Sequence, residues 1–311
     1  MNSRKTGRGA GKFLACFVVP AAPFALLLRN SRKTERGAGK FLACFVERVA
    51  PFALLMLTAA PLAAQWLNYP TAGVPRNPDG KPNLAAAAPH TTDGRPDLSG
   101  IWYLEGPPCG INDCADYPGG PEFFDFGARL PGGLPYQPWA ADLVQKRSAD
   151  LGRDDPVAQC RPAGALRLLT FPPPRKIVQA PGLLIILSER DVTFRQIFMD
   201  GRPLLKDPEP SWNGYSTGKW EGDALVVQTT GFRDGIWIDR KGSPMTNAAK
   251  VTERFRRVNY GRLEIEVTMD DPKAYTKPWT VKLNQRIALD TEILDYFCQD
   301  NEKDAVHLVG K

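Results

Sequence analysis

From Pro174 onward, apolar and polar residues alternate in short runs, the period of a strand with one buried face. The alternation predicts strands over Lys176–Ala180, Leu183–Glu189, Phe194–Asp200, Gly214–Glu221, Ala224–Gly231, Lys250–Val258, Arg262–Asp270, Trp279–Leu289 and Glu292–Cys298. Turn residues fall between them, at Asp200-Gly201, Glu221-Gly222-Asp223 and Asn259-Tyr260-Gly261. A further strand starts at Ser99–Trp102. Strands joined mostly by tight turns predict a mainly β fold, an antiparallel up-and-down meander that closes into a barrel, because closure removes unpaired edges. Helical spacing appears once, at Trp139, Leu143 and Val144 ahead of Gly152, and predicts one short helix. Gly106–Pro138 reads as a long Gly/Pro-rich loop, the kind that serves as a lid or binding loop.

The segment before the barrel has a different character. Residues 2–18 and 30–46 are near-copies, differing only at Gly7 and Glu35, and the repeat stops at two units. A solenoid needs more units to bury its faces. With a basic start, the apolar run Val49–Leu62 and small residues Ala63 and Ala64, residues 1–64 read as a duplicated export leader, a signal peptide cleaved before Gln65. Residues 65–98 read as a Pro-rich extended arm with two related turns, Asp79-Gly80-Lys81-Pro82 and Asp93-Gly94-Arg95-Pro96. Residues 99–311 then form a single β-barrel domain.

Charge follows the same division. The chain carries 40 Lys/Arg against 34 Asp/Glu, but residues 1–64 hold ten Lys/Arg against two Glu. The remainder is slightly acidic and lacks the basic patch that a polyanion partner requires, so no nucleic-acid partner is expected. Membrane contact is expected only through an uncleaved leader. His90 and His307 are the two histidines, too few for a histidine metal site, and no Gly-rich fingerprint follows a strand, so neither a metal nor another cofactor is expected. Outside the leader stand Cys109, Cys114, Cys160 and Cys298, an even count that suits two disulfides in an oxidising compartment. Three connectivities are possible; Cys109–Cys114 as a local clip and Cys160–Cys298 as a long tie is the favoured one.

Polar residues caught on apolar faces are the candidate chemistry. Glu253 alternates with Val251 and Phe255, Gln285 with Leu283 and Ile287, Gln228 with Ala224 and Val226, and Asp295 with Ile293 and Phe297. Inside a closed barrel the four would converge, and a carboxylate among apolar neighbours acquires the raised pKa of a general acid. Glu253 and Asp295 are therefore the catalytic candidates; a purely structural alternative pairs Glu253 with an arginine such as Arg195. Aromatic residues near strand ends, Trp102, Trp212, Tyr215, Trp220, Trp237, Tyr275 and Trp279, could clasp a ligand or plug a barrel end. Trp220, Gln228, Trp237, Tyr275, Trp279 and Gln285 are the substrate-binding candidates.

Gly100-Ile101-Trp102 at the first strand resembles the G-x-W signature of lipocalin-like barrels, which makes the expected barrel lipocalin-like. A longer resemblance rests on YPTAGVPRNPDGKPNLA, PDLSGIW, DDPVAQCRP, the stretch from Arg195 to Phe232, VTERFRR and IEVTMDDPKAYTKPW. These look like a large family of exported proteins of unknown function from soil bacteria. Many members of that family carry a His-x-His-Ser-Glu-like segment before VTERF, where this chain has Pro244-Met245-Thr246-Asn247-Ala248. The resemblance implies export and no particular activity.

Two functions fit these features. One is a secreted or periplasmic barrel that binds a small, largely apolar or aromatic molecule. The other is a cofactor-free, metal-independent acid-base enzyme, a hydrolase, dehydratase or isomerase acting on a glycan or other small organic substrate in the same cavity.

Overall fold

A computed structural model describes residues 69–105 and 121–298. The leader, Cys109, Cys114 and His307 lie outside the described residues.

Nine strands close into a barrel. They are β1 (Gly100–Leu104), β2 (Arg175–Ala180), β3 (Leu183–Ser188), β4 (Thr193–Phe198), β5 (Tyr215–Glu221), β6 (Ala224–Thr230), β9 (Lys250–Asn259), β10 (Arg262–Asp270) and β11 (Trp279–Ala288). A two-stranded ribbon, β7 (Ile236–Trp237) and β8 (Pro244–Met245), interrupts the sequence between β6 and β9. Around the barrel the strands keep chain order, and β1 closes it by pairing with both β2 and β11.

One pair departs from the antiparallel meander. β4 and β5 run parallel, in register only at Ile197 with Ser216 and Phe198 with Thr217. Parity requires it: strands that alternate up and down around a closed ring must be even in number, so a ring of nine has one parallel neighbour pair. The connection from Phe198 to Tyr215 is accordingly no hairpin; it contains Pro203, Pro208 and Pro210 and carries the chain back to the end where β4 began.

Glu292–Cys298 is a correction to the predicted strands. Because β11 already pairs with β1, the barrel has no edge left for it. The segment forms instead a strap that touches the β3–β4 hairpin through one bridge between Arg190 and Tyr296. Cys298 of the strap stands at disulfide distance from Cys160, with Cα atoms 5.5 Å apart.

The predicted helix is α1 (Pro138–Ala149), with proline at its first turn and Lys146 and Arg147 in its last, where they suit the negative end of the helix dipole. A single turn, α2 (Ala165–Leu168), buries Leu166, and Leu169 follows it into the barrel interior beside Trp102, Ile177 and Phe255. Each such leucine contributes about 1.5–3 kcal/mol by burial. Arg175 and Gln285 hold the end of this plug: Arg175 donates to the carbonyls of Leu168 at 2.7 Å and Phe171 at 3.1 Å and to Gln285 Oε1, while Gln285 donates to the Leu169 carbonyl at 3.2 Å. The carbonyls that a helix leaves unsatisfied at its C-terminus thus find buried donors.

The arm docks on the same molecule. Both of its Asp-Gly turns close alike, with Arg76 bridged to Pro82 and His90 to Pro96. Gly261 donates to the Leu84 carbonyl and Tyr260 to that of Ala86, which lays the arm against the β9–β10 hairpin. Gly100 has φ +144°, and a Cβ there would meet the Trp102 ring at 3.3 Å, so the position needs glycine. Trp102 is buried, donates to the Leu98 carbonyl at 3.1 Å and lies under Arg257, whose guanidinium carbon is 5.0 Å from a ring centroid.

Candidate functional site

The parallel seam is where the wall opens. β4 is fully paired with β3, and β5 with β6, yet the two meet across the seam at only two register positions. The gap is a groove of about 540 Å³, within the usual range for small-molecule sites. Phe194, Phe198, Trp212 and Tyr215 give it aromatic walls, and Gln196, Ser211 and Asn213 give it neutral polar ones. Gly214, at φ +64°, lets the chain pass closely here; a Cβ would lie 2.7 Å from the Thr230 carbonyl oxygen.

Strand alternation explains the arrangement. On β4, Phe194 and Gln196 point outward while Arg195 and Ile197 point inward, so the groove has an exposed lip and a buried floor. Phe194 is 61% exposed, unusual for so large an apolar side chain. Below it, Arg195 lies against Glu253, which is fully enclosed. The pair is bidentate, with Arg195 Nη1 2.9 Å from Oε1 and Nη2 bonded to Oε2. Arg195 also donates to Ser216 Oγ at 3.1 Å and to Thr229 Oγ1 at 2.8 Å, and these two hydroxyls bond each other at 2.9 Å. The floor is thus polar and electrically balanced.

The lip carries strain. Asp191 and Val192, in the β3–β4 hairpin, have φ +61° and +46°. A left-handed β-branched residue costs about 1–2 kcal/mol, and Val192 recovers little through burial, being 47% exposed. Such conformations gather at ligand sites because function maintains them.

The predicted site residues are scattered. Val251, Glu253 and Phe255 face inward as their alternation predicts, and so do Leu283, Gln285 and Ile287. Glu253 is occupied by Arg195, however, and Gln285 by the plug. Gln228 is a correction: it is exposed, and the inward face of β6 is Leu225, Val227 and Thr229. Asp295 is another, exposed on the strap, so the structure does not bring the two carboxylates together.

Tyr275 and Trp279 are buried at a barrel end, where they pack edge to face with centroids 5.4 Å apart. Tyr275 donates to the Pro244 carbonyl at 2.8 Å and stacks on Tyr136. Phe126, from the described part of the long loop, packs on Trp279. Burial pushes the Tyr275 and Tyr136 hydroxyls well above the ordinary phenol range. Nearby, Asp239 is fully buried and accepts from the Phe126, Gly242 and Ser243 amides and from Ser243 Oγ at 2.6 Å. Its burial raises its pKa despite these bonds. Trp237 is buried under Arg147, whose guanidinium lies 4.3 Å from a ring centroid. Trp220 is half-buried against the core. None of these lines the seam groove.

Trp212 and Tyr215 belong to the predicted aromatic set; Val192, Phe194 and Asn213 do not. The signal that could have found them is the proline-rich crossover between β4 and β5, too long for a hairpin and therefore a mark of a parallel, gapped pair. No cluster that could hold a metal occurs among the described residues, and among them no helix is long and apolar enough to cross a membrane. Comparison of the chain with protein-family models, curated proteins and solved structures finds no match.

Proposed function

We propose that this protein binds a small organic molecule with an apolar or aromatic face, and that the molecule lies in the seam groove rather than in the barrel lumen. The observation that carries the reading is the groove of about 540 Å³ with Phe194 displayed on its lip. The lumen supports it less, since the plug and the buried side chains leave chambers of only about 10 Å³ there. Tight enclosure of Glu253 by Arg195 favours binding over acid-base catalysis, because both carboxylate oxygens are already committed. Export to an oxidising compartment fits the Cys160–Cys298 pair.

The test is a thermal-shift screen of the full-length chain against phenolics, terpenoids, fatty acids and oligosaccharides, followed by titration of each hit against Trp fluorescence. A saturable hit whose affinity falls about tenfold in Phe194→Ala supports the groove. Hits indifferent to Phe194→Ala, or no hits at all, overturn it.

A further inference from the structure

Beneath the groove, sharing Thr193, Phe194 and Arg195 with it, lies a chamber of about 10 Å³, room for one small occupant. Arg175, Ser188, Thr193 and Arg195 provide its polar walls, and Leu169 and Ile186 are among its apolar ones. We propose that this chamber holds a single halide ion, chloride where the medium supplies it, bound between the two guanidinium groups.

The first argument is charge. Arg175 and Arg195 are both buried, and both are always cationic in ordinary conditions. Glu253 balances Arg195. Arg175 has no carboxylate partner among the described residues; its acceptors are two backbone carbonyls and the amide oxygen of Gln285. Burial without a counter-charge lowers its pKa to about 9. An uncompensated buried charge is among the most expensive things a fold can contain, and an anion in the adjoining chamber removes that cost.

The second argument is donor count. A guanidinium offers five N–H groups. Arg175 uses three in the bonds above, and Arg195 uses four, on Glu253, Ser216 and Thr229. Three N–H groups on two chamber-lining cations are thus left without protein acceptors. The Ser188 side chain, on a buried residue, also lines the chamber and makes no hydrogen bond to the described residues. Two cations and a hydroxyl with unused donors line this one small space, and such a set suits an anion, which only accepts. It suits water less, because water brings two protons that need acceptors of their own. The small volume favours a monatomic ion over the larger sulfate, phosphate and carboxylates.

The test uses the full-length chain at constant ionic strength, with sodium gluconate replaced stepwise by sodium chloride or bromide. The melting temperature should rise saturably with either halide, by about 3–6 °C at tenfold excess over Kd, and should not rise in sulfate at matched ionic strength. Ser188→Val fills the chamber and removes one donor, so it should flatten the halide response while the protein stays folded in gluconate. Arg175→Met should flatten it as well; if that variant does not fold, Ser188→Val carries the test. Crystals grown in bromide should show an anomalous peak between Arg175 and Arg195. Equal melting curves in gluconate and chloride, a halide response that survives Ser188→Val, or bromide found only on the surface would overturn the proposal.

Discussion

Replacing Glu253 by Gln tests whether the buried pair supports the fold. The substitution keeps the shape but removes the charge, and it sets an amide NH₂ against one of the guanidinium nitrogens that now bond Oε1 and Oε2. Arg195 is 5% exposed and would be left as a buried cation with only Ser216 and Thr229 on its other side. Breaking one partner of a buried pair costs about 3–5 kcal/mol, and a domain of this size loses about 2–4 °C per kcal/mol. Glu253→Gln should therefore lower the melting temperature by about 6–20 °C, with a matching fall in the urea midpoint. The double variant Arg195→Met with Glu253→Leu removes both charges and leaves Ser216 and Thr229 bonded to each other. It should recover most of the loss, because an apolar replacement of a whole buried pair is often neutral or better. A loss below about 1 kcal/mol in the single variant, or a double variant as unstable as the sum of the two singles, would refute the reasoning.

Relief of the lip strain is the simplest of the remaining tests: Val192→Asn, which tolerates the left-handed region, should raise the urea midpoint by an amount equivalent to about 0.5–1 kcal/mol, and an unchanged or lower midpoint counts against strain. Removing the tie in Cys160→Ser should cost up to about 5 kcal/mol by the loop-entropy relation for a separation of 138 residues; in non-reducing urea melts, wild type and variant should differ, and in reducing melts they should converge. Asp239 has its pKa raised by burial, so the stability it contributes is full below the ordinary carboxylate pKa and is lost as pH rises through the higher folded value. Asp239→Asn should therefore lack that component of the pH dependence, and urea midpoints from pH 3.5 to 7 should show the wild type falling relative to the variant as pH rises; a constant difference would dismiss the shift.

Much of the barrel is legible in the alternation of side chains. Eight of the nine strands expected after Pro174 form, most within a residue or two of the expected bounds, and Glu253 and Gln285 face inward because each alternates with neighbours buried on one side only. Gln228 fails because β6 is covered on both faces: Ala224 and Val226 are nearly as buried as Leu225 and Val227, so alternation alone does not choose between them. Asp295 fails for a topological reason, since Ile293, Asp295 and Phe297 alternate like a strand but the closed ring offers no edge. The groove escapes local patterns altogether. It arises from the count of strands and from the direction in which the crossover returns, and neither is visible in any one window of sequence. Arg195 was foreseeable as a partner of Glu253, but not as the floor of an opening.

The two-position register between β4 and β5 also sets how the barrel moves. Elsewhere around the wall, separating two strands breaks a ladder of several residues, whereas here little backbone pairing stands in the way. Among the barrel strands, amide exchange should be quickest along Thr193–Gln196, paired on one side alone, and slowest in β9 and β10, each of which is paired on both sides over most of its length. When the wall parts at this line, two bare strand edges face solvent together, with Phe194 and Phe198 beside them. An edge of that kind recruits other edges, so at high concentration the same opening that admits a ligand is the place where one molecule can add its strands to another, and an occupant of the groove would protect the protein from its own association.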